Sequence, residues 1–414
     1  MRTFNFPNIK HKKTILALGA ESAGNFSVFQ NEIIYFSQNF NDLLDEENFK
    51  NYKKELRDFL QNNNIKPNII LTDLHPDFKT TQLGIELSKK YKAKHIQIQH
   101  HLAHIYSQIS NFQFPISKQF SNSNVQIPNL FYGIALDGTG YGTDGKIWGG
   151  EVFYLQPYNL QPIRIGHIEN QIMIGRELAI REPARMLISV LDKFSNKKEI
   201  YNFIKKHYSR NEFELLHNQL RQNFNCIETS SCGRVFDAVS VLLGFCGNER
   251  SFKHKASHLL KKNSTTPYKD LKPKIIVKKQ AVRSKKQKIF NNQYIIVNEY
   301  TKYILNTTHL FKYLIKNLHK NKKRLAATAQ LYIAQGLKKI IEKHIEHNIK
   351  HKTKDVVLSG GLSKNKIILN YFKNKKSEKF SDNKLQNAIP RDDAGISFGQ
   401  IIYYLKNSNP KTSK

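Results

Sequence analysis

Tyr132-Gly133-Ile134-Ala135-Leu136-Asp137-Gly138-Thr139-Gly140-Tyr141-Gly142, with Gly149 to Tyr154 shortly after it, is the stretch whose reading decides the fold. Tyr132 to Leu136 reads as a buried strand, Asp137 to Gly142 as a glycine loop and Gly149 to Tyr154 as the returning strand. The same arrangement opens the chain: a strand from Thr14 to Leu18, a small-residue turn from Gly19 to Asn25, then strands from Phe26 to Phe29 and from Glu32 to Ser37. Helix and strand alternate between the two copies. A polar helix is predicted over Asp45 to Asn63, a strand over Asn68 to Asp73, a helix over Thr80 to Lys90, a strand over His95 to Gln99 and a helix from His100 to Ile109. The Ser, Asn, Gln and Pro content of Asn111 to Asn129 reads as a linker.

The duplication predicts an α/β fold of two lobes, by analogy an actin- and hexokinase-like clamp that holds phosphate between its glycine loops. The first lobe would span residues 1–128 and be completed by a C-terminal helix at 395–405. The second would span 129–394. Within it, Arg176 to Gly244 reads as helical, Lys261 to Lys288 as a Lys-rich solvated insertion, and Val356 to Leu358 as a strand running into Ser359-Gly360-Gly361.

A chain of 414 residues, 39% hydrophobic and 24% charged, has the composition of a soluble globular protein of two or three domains. Its 66 Lys and Arg against 33 Asp and Glu give +33. Such a field attracts polyanions. Lysine is nevertheless frequent throughout, as in Lys205-Lys206 and Lys373-Asn374-Lys375-Lys376, so general Lys enrichment accounts for most of the surplus and no single basic block is expected. Lys10, Lys12 and Lys13 precede an apolar run at Ile15 to Ala20, but this run is too short for an export signal and Glu21 ends it. No stretch is apolar enough to span a membrane. Cys226, Cys232 and Cys246 form no Cys-x-x-Cys pair, which fits a reducing cytoplasm.

Three groups of residues carry chemistry. His100 and His104 stand four apart and share a helix face, where two imidazoles can grip one metal or simply be surface histidines. Carboxylates would complete the set: Asp137 ends a strand and Asp393, in Arg391-Asp392-Asp393-Ala394-Gly395, precedes the last helix. Two imidazoles with carboxylates suit iron or zinc, with manganese behind them. Gly138-Thr139-Gly140 and Ser359-Gly360-Gly361, with Asn365 beyond, admit close backbone approach to a phosphate, or are turns that need glycine for its backbone freedom. Arg181 to Arg185 and Ser231 to Asp237 offer arginines for a phosphate and Asp237 for a ribose. Read alone, each fits a surface ion pair better.

In order along the chain, Asp73-Leu74-His75-Pro76-Asp77-Phe78, Gln99 to His104, Asp137 to Gly142 with Trp148-Gly149-Gly150-Glu151, Arg181 to Arg185, Ser231 to Asp237, and Leu358 to Gly361 with Asn365 resemble the Kae-like carbamoyl-transfer module of the HypF family. The match runs from about Ile15 to Gln400. It implies an actin-like fold that binds carbamoyl-adenylate, with its ATP-derived AMP moiety, and passes the carbamoyl group to the C-terminal cysteine of a HypE-like partner in hydrogenase maturation. By the same resemblance one divalent metal is held by His100, His104, Asp137 and Asp393, which makes His100, His104 and Asp137 the catalytic residues. Gly138, Thr139, Gly140, Arg234, Asp237, Ser359, Gly360, Gly361 and Asn365 then line the nucleotide.

The sequence departs from the family in four respects. The acylphosphatase, zinc-finger and YrdC-like modules are absent ahead of this one, so a separate YrdC-like protein is expected to supply the intermediate. The family's lysine is missing from the Gly19 to Asn25 turn, Phe252-Lys253-His254 replaces an acidic Tyr-Glu-Gly segment, and Gln330 stands where a histidine is usual, as in tRNA-modifying relatives. Three alternatives follow: a TsaD-like threonylcarbamoyl transferase acting on tRNA, a small-molecule O-carbamoyltransferase, and a non-catalytic remnant that only binds a partner.

Overall fold

The computed structural model describes residues 1–7, 11–109, 131–155, 162–249, 252, 254–280, 287–289, 293–295, 300–348, 355–373 and 389–407. The predicted linker at 111–129 lies outside them. Two sheets form the framework, each built around an antiparallel meander whose first strand takes a later strand in parallel. In the first, Ile15–Ala17, Ser27–Gln30 and Ile33–Phe36 make the meander. Ile69–Asp73 then joins Ile15–Ala17 in parallel, and Lys94–Ile98 follows it. In the second, Phe131–Tyr141, Ile147–Leu155 and Ile163–Ile168 make the meander. Asp355–Ser359 joins Phe131–Tyr141 in parallel. The repeated topology is the two-lobed α/β fold that the paired glycine segments predict.

The apolar run that mimics an export signal is a central strand, with Ile15, Leu16 and Ala17 wholly buried. Helix Glu46–Asn62 forms because the Asp45 side chain accepts from the Asn48 N–H at its start and Tyr52, Leu56 and Leu60 repeat on one face. That face packs on the first sheet, against Phe26, Phe40 and Leu43. Helix Ile396–Asn407 returns the chain end to the first lobe. Its Gln400 accepts from the Gly19 N–H at 3.0 Å, and Ser397 shares a 2.8 Å hydrogen bond with Ser27. It crosses helix His100–Ile109 at Gly399, where any Cβ would run into the Ala103 carbonyl.

Four expectations are corrected. The glycine segment at 137–142 is largely strand: Phe131–Tyr141 runs through it with a register shift between Leu136 and Gly140, and the turn comes at Gly142 to Lys146. Gly140 there serves close packing, since a Cβ on it would lie 2.5 Å from the His101 ring and 3.1 Å from His100 Cβ. The helical middle contains a strand, Cys226–Thr229, paired with Gln171–Ile174. The Lys-rich segment is partly regular, because Lys261 and Lys262 end a helix, Lys255–Lys262, and the β-branched Ile275-Ile276-Val277 open an edge strand, Ile275–Gln280, paired with Tyr300–Leu305. A strand that was not expected, Arg2–Asn5, pairs with Ile33–Phe36.

Glu151, fully buried on Ile147–Leu155, braces the meander's neighbour. One carboxylate oxygen accepts from the Gly149 and Gly150 N–H groups at 3.2 and 3.3 Å, and the other takes Arg164 Nε at 2.5 Å. Arg164 also lies 3.9 Å over the Trp148 ring. Burial alone would raise the Glu151 carboxyl, but Arg164 and its hydrogen bonds hold it down at about 2. Its folded value lies below the ordinary one of 4.5. The stabilisation is therefore complete above the ordinary value and is lost as pH falls toward 2. Glu151→Gln is expected to cost about 3–5 kcal/mol by leaving Arg164 without its buried partner. Urea unfolding at pH 7 measures this, and an unchanged midpoint would refute the bracing role.

Candidate metal centre

Helix His100–Ile109 is wedged between the lobes, and its first turn presents both histidines inward. His100 and His104 are 1% and 0% exposed, so they are not the surface histidines that their spacing alone also allows. Their rings stand 4.8 Å apart and nearly perpendicular. Asp137 arrives from Phe131–Tyr141 and Asp393 from the turn before the last helix. Asp137 Oδ2 lies 3.2 Å from His100 Nε2 and 3.8 Å from His104 Nε2, and Asp393 Oδ1 lies 3.7 and 3.3 Å from the same atoms. One donor atom from each of the four falls within 4.8 Å of the others.

This donor set fits a metal. Tetrahedral bonds of about 2.0–2.1 Å place ligand atoms roughly 3.3 Å apart, close to the observed spacings. His104 Nε2, though fully buried, makes no hydrogen bond of acceptable geometry among the described residues, and a shared cation is the partner such an atom needs. Burial opposes charging His100, yet the Asp73, Asp137 and Asp393 carboxylates hold its proton well above the usual imidazole range. Asp393 is correspondingly low: burial and the nearby Asp137 push it up, and the imidazoles more than reverse this.

Asp73 is a member that sequence reasoning quoted without assigning a role. It ends strand Ile69–Asp73, is fully buried, accepts from the His75 N–H at 3.0 Å and takes His100 Nδ1 at 2.7 Å. A carboxylate on Nδ1 leaves Nε2 facing the other donors, the arrangement that orients ligating histidines. The signal available was its position at a strand end ahead of His75-Pro76. The small-residue turn contributes as well: Ser22 donates to Asp393 Oδ2 and Asn25 to the Ala394 carbonyl. A turn read as part of a phosphate clamp thus grips Asp393 and its neighbour.

The residues assigned to the nucleotide divide into two groups. Gly138 and Gly361 border the cluster on its open side, and Thr139 follows Gly138, half-buried, on the same strand. A Cβ on Gly138 would meet only the His254 ring, at 3.7 Å, and one on Gly361 only Asp137, at 3.5 Å. Ser231, which caps helix Cys232–Leu242, donates to the Asp137 and Gly138 carbonyls and so aims that helix's N-terminus at the same place. The others are engaged internally. Gly140 packs on His100 and His101, and Gly360, at φ +92°, lies against the Leu136 carbonyl. Ser359 donates to the His104 carbonyl at 2.7 Å. Asn365 accepts from Ile367 and Ile368 at the start of a helix and donates to Gln330, which donates to Ser264. Arg234 and Asp237 pair at 2.9 Å with 3% and 0% of their side chains exposed: an ion pair, but a buried one where a surface pair was expected. Arg185 pairs with Glu182 at 2.8 Å.

Fold and site together define a two-lobed α/β protein of the ASKHA type with a buried cluster of two histidines and two aspartates at the junction of its lobes. Residues 133–400 match the carbamoyltransferase Kae1-like domain, second subdomain, and residues 10–111 the HypF Kae1-like domain. The chain belongs to the HypF carbamoyltransferase family. It is 34% identical over 413 residues to a probable carbamoyltransferase HypF of Methanocaldococcus jannaschii, covering 97% of this chain and 47% of the relative. It is 29% identical over 244 residues to a carbamoyltransferase HypF homolog of Cupriavidus necator, covering 59% of this chain and 58% of that one. A full-length HypF crystallised in a phosphate- and nucleotide-bound form superposes with a TM-score of 0.76 at 24% identity, over 98% of this chain and 48% of the other. The HypF of T. kodakarensis gives 0.73 at 27%, over 96% and 48%. The chain thus spans about half the length of several of these proteins.

Replacing His100 or His104 by Ala is expected to abolish metal uptake, read by elemental analysis of the purified protein. Because both rings are buried, each change also costs about 1–3 kcal/mol of stability. Asp73→Asn is expected to weaken metal affinity about 10–100-fold in a chelator competition. Unchanged affinity would leave Asp73 a structural role only.

Proposed function

We propose that this chain is the carbamoyl-transfer module of a HypF-type enzyme, moving a carbamoyl group from carbamoyl-adenylate to the C-terminal cysteine of a HypE-like protein in the cytoplasm. The observation that carries this reading is the adjacency of His100, His104, Asp137 and Asp393 to the open backbone of Gly138 and Gly361. Such a site suits a phosphate-bearing ligand. The family relationship supplies the identity of that ligand, and a YrdC-like unit outside these residues would make it.

In this reading the two histidines and two aspartates hold a divalent ion, iron or zinc. When bound, it supplies Lewis-acid polarisation of an oxygen on the intermediate. The rest is positioning. Backbone N–H groups at Gly138 and Gly361, with the N-terminus of helix Cys232–Leu242, hold the phosphate and steady its negative charge as it leaves. The acceptor sulfur attacks the carbamoyl carbon as thiolate, an S–C bond forms, the C–O bond to phosphate breaks and AMP departs. A thiol of pKa about 8.5 needs little further activation against so reactive a carbonyl. Asp73 keeps His100 in register throughout.

The test is to mix the metal-loaded protein with carbamoyl-adenylate and a peptide ending in cysteine. The expected result is transfer of one carbamoyl group to the peptide, detected by mass spectrometry, and its loss in His104→Ala. Binding of metal and nucleotide without any transfer to thiol would overturn the acceptor assignment. Absence of both would favour a partner-binding remnant.

A further inference from the structure

The positive charge is gathered after all. Residues 253–324 contain 20 Lys and Arg against two acidic residues, so these 72 positions hold +18 of the chain's +33. General Lys enrichment does not produce such a block. The structure brings its described parts together on the second lobe: helix Lys255–Lys262, the connection that follows it, helix Thr307–Lys316 and the start of helix Lys322–Asn348. The Thr265 N–H bonds the Lys323 carbonyl, Arg324 Nε bonds the Thr266 carbonyl, and Tyr268 lies under Arg324 at 3.9 Å and Lys320 at 5.3 Å. Lys261, Lys262, Lys269 and Lys323 are exposed here, and no ion pair among the described residues involves them. Asp270, the acidic residue of the connection, accepts from Tyr313 at 2.7 Å.

We infer that this face docks a nucleic acid through its phosphate backbone. A protein partner would need an apolar or aromatic anchor at the centre of its footprint. Of the exposed large apolar side chains of the described residues, Phe252 and Val277 border this face, ahead of its first helix and on the edge strand Ile275–Gln280, and none belongs to the helices or their connection. Clustered lysines with arginine stacked on tyrosine are instead the make-up of a backbone-tracking surface. The face also adjoins the cleft. Helix Lys255–Lys262 starts at His254, whose ring faces Gly138, and ends about 12 Å on at the first exposed lysines. Ser264, just beyond, receives the hydrogen bond of Gln330 that continues to Asn365. The docked strand would therefore lie beside the mouth of the metal-bearing cleft. The inference is independent of the carbamoyl-transfer reading, because it rests on exposed lysines that are not members of the histidine and aspartate cluster.

The experiment compares two fourfold variants of the full chain by fluorescence anisotropy with a labelled RNA hairpin at several salt concentrations. One carries Lys261→Gln, Lys262→Gln, Lys269→Gln and Lys323→Gln. The control carries Lys50→Gln, Lys54→Gln, Lys89→Gln and Lys90→Gln on the first lobe, which removes the same net charge elsewhere. The face variant is expected to bind at least tenfold more weakly than the parent, with a salt slope shallower by about three to four, while the control stays within twofold and both retain the parent's metal content. Equal losses in the two variants, no binding by the parent at 0.1 M salt, or displacement of RNA by polyglutamate at lower concentration would each overturn it, the last in favour of an acidic protein.

Discussion

Burying two imidazoles and three carboxylates in one place is the constraint around which this molecule is arranged. Isolated, such charges would cost several kcal/mol each to desolvate. Here they are met by one another. Asp73 faces His100, and Asp137 and Asp393 face both histidines, so each element that brings a charge also brings the partner another element needs. The lobes are thereby joined at a polar centre as well as at an apolar one. The apolar part is a shared cluster in which Ile15 and Phe398 of one lobe and Phe153 and Val357 of the other pack around Ile105 of the histidine helix.

The glycines make this arrangement sterically attainable. Gly140 and Gly399 sit where the histidine helix meets a strand on one side and the last helix on the other, and side chains at either position would push the ligands apart. Ser359 then fixes the helix from a third direction by donating to the His104 carbonyl. Residues that look like phosphate loops in the one-dimensional pattern therefore act partly as spacers. Among them, Gly138 and Gly361 keep an open side.

What was legible in the sequence follows from how local the signals are. The histidine helix starts and ends where its spacing predicts, and both glycine segments mark the start of a lobe, because strand alternation and helical periodicity depend on near neighbours. That His100, His104, Asp137 and Asp393 come together was legible through family resemblance, whereas spacing alone left the histidines ambiguous. The role of Asp73 was not, since its contact with His100 runs from a strand end to the helix that follows the neighbouring parallel strand and has no periodic signature. Nor was the burial of Arg234 with Asp237: a pair at i and i+3 looks the same on either face of a helix. The strand Cys226–Thr229 was missed because four residues between helices are too few to show alternation.

The hydrogen bond from Ser22 to Asp393 spans 371 residues of chain. At about 5–20 residues per second, a ribosome makes the second partner roughly 20–75 s after the first. Through the later part of that interval, once Ile98 has been made, the first lobe has the strands of its sheet but neither its closing helix nor Asp393. His100, His104 and Asp137 then precede the fourth member of their cluster by more than half the chain. The polar centre that joins the lobes is therefore a property of the finished polypeptide, closed by its last helix.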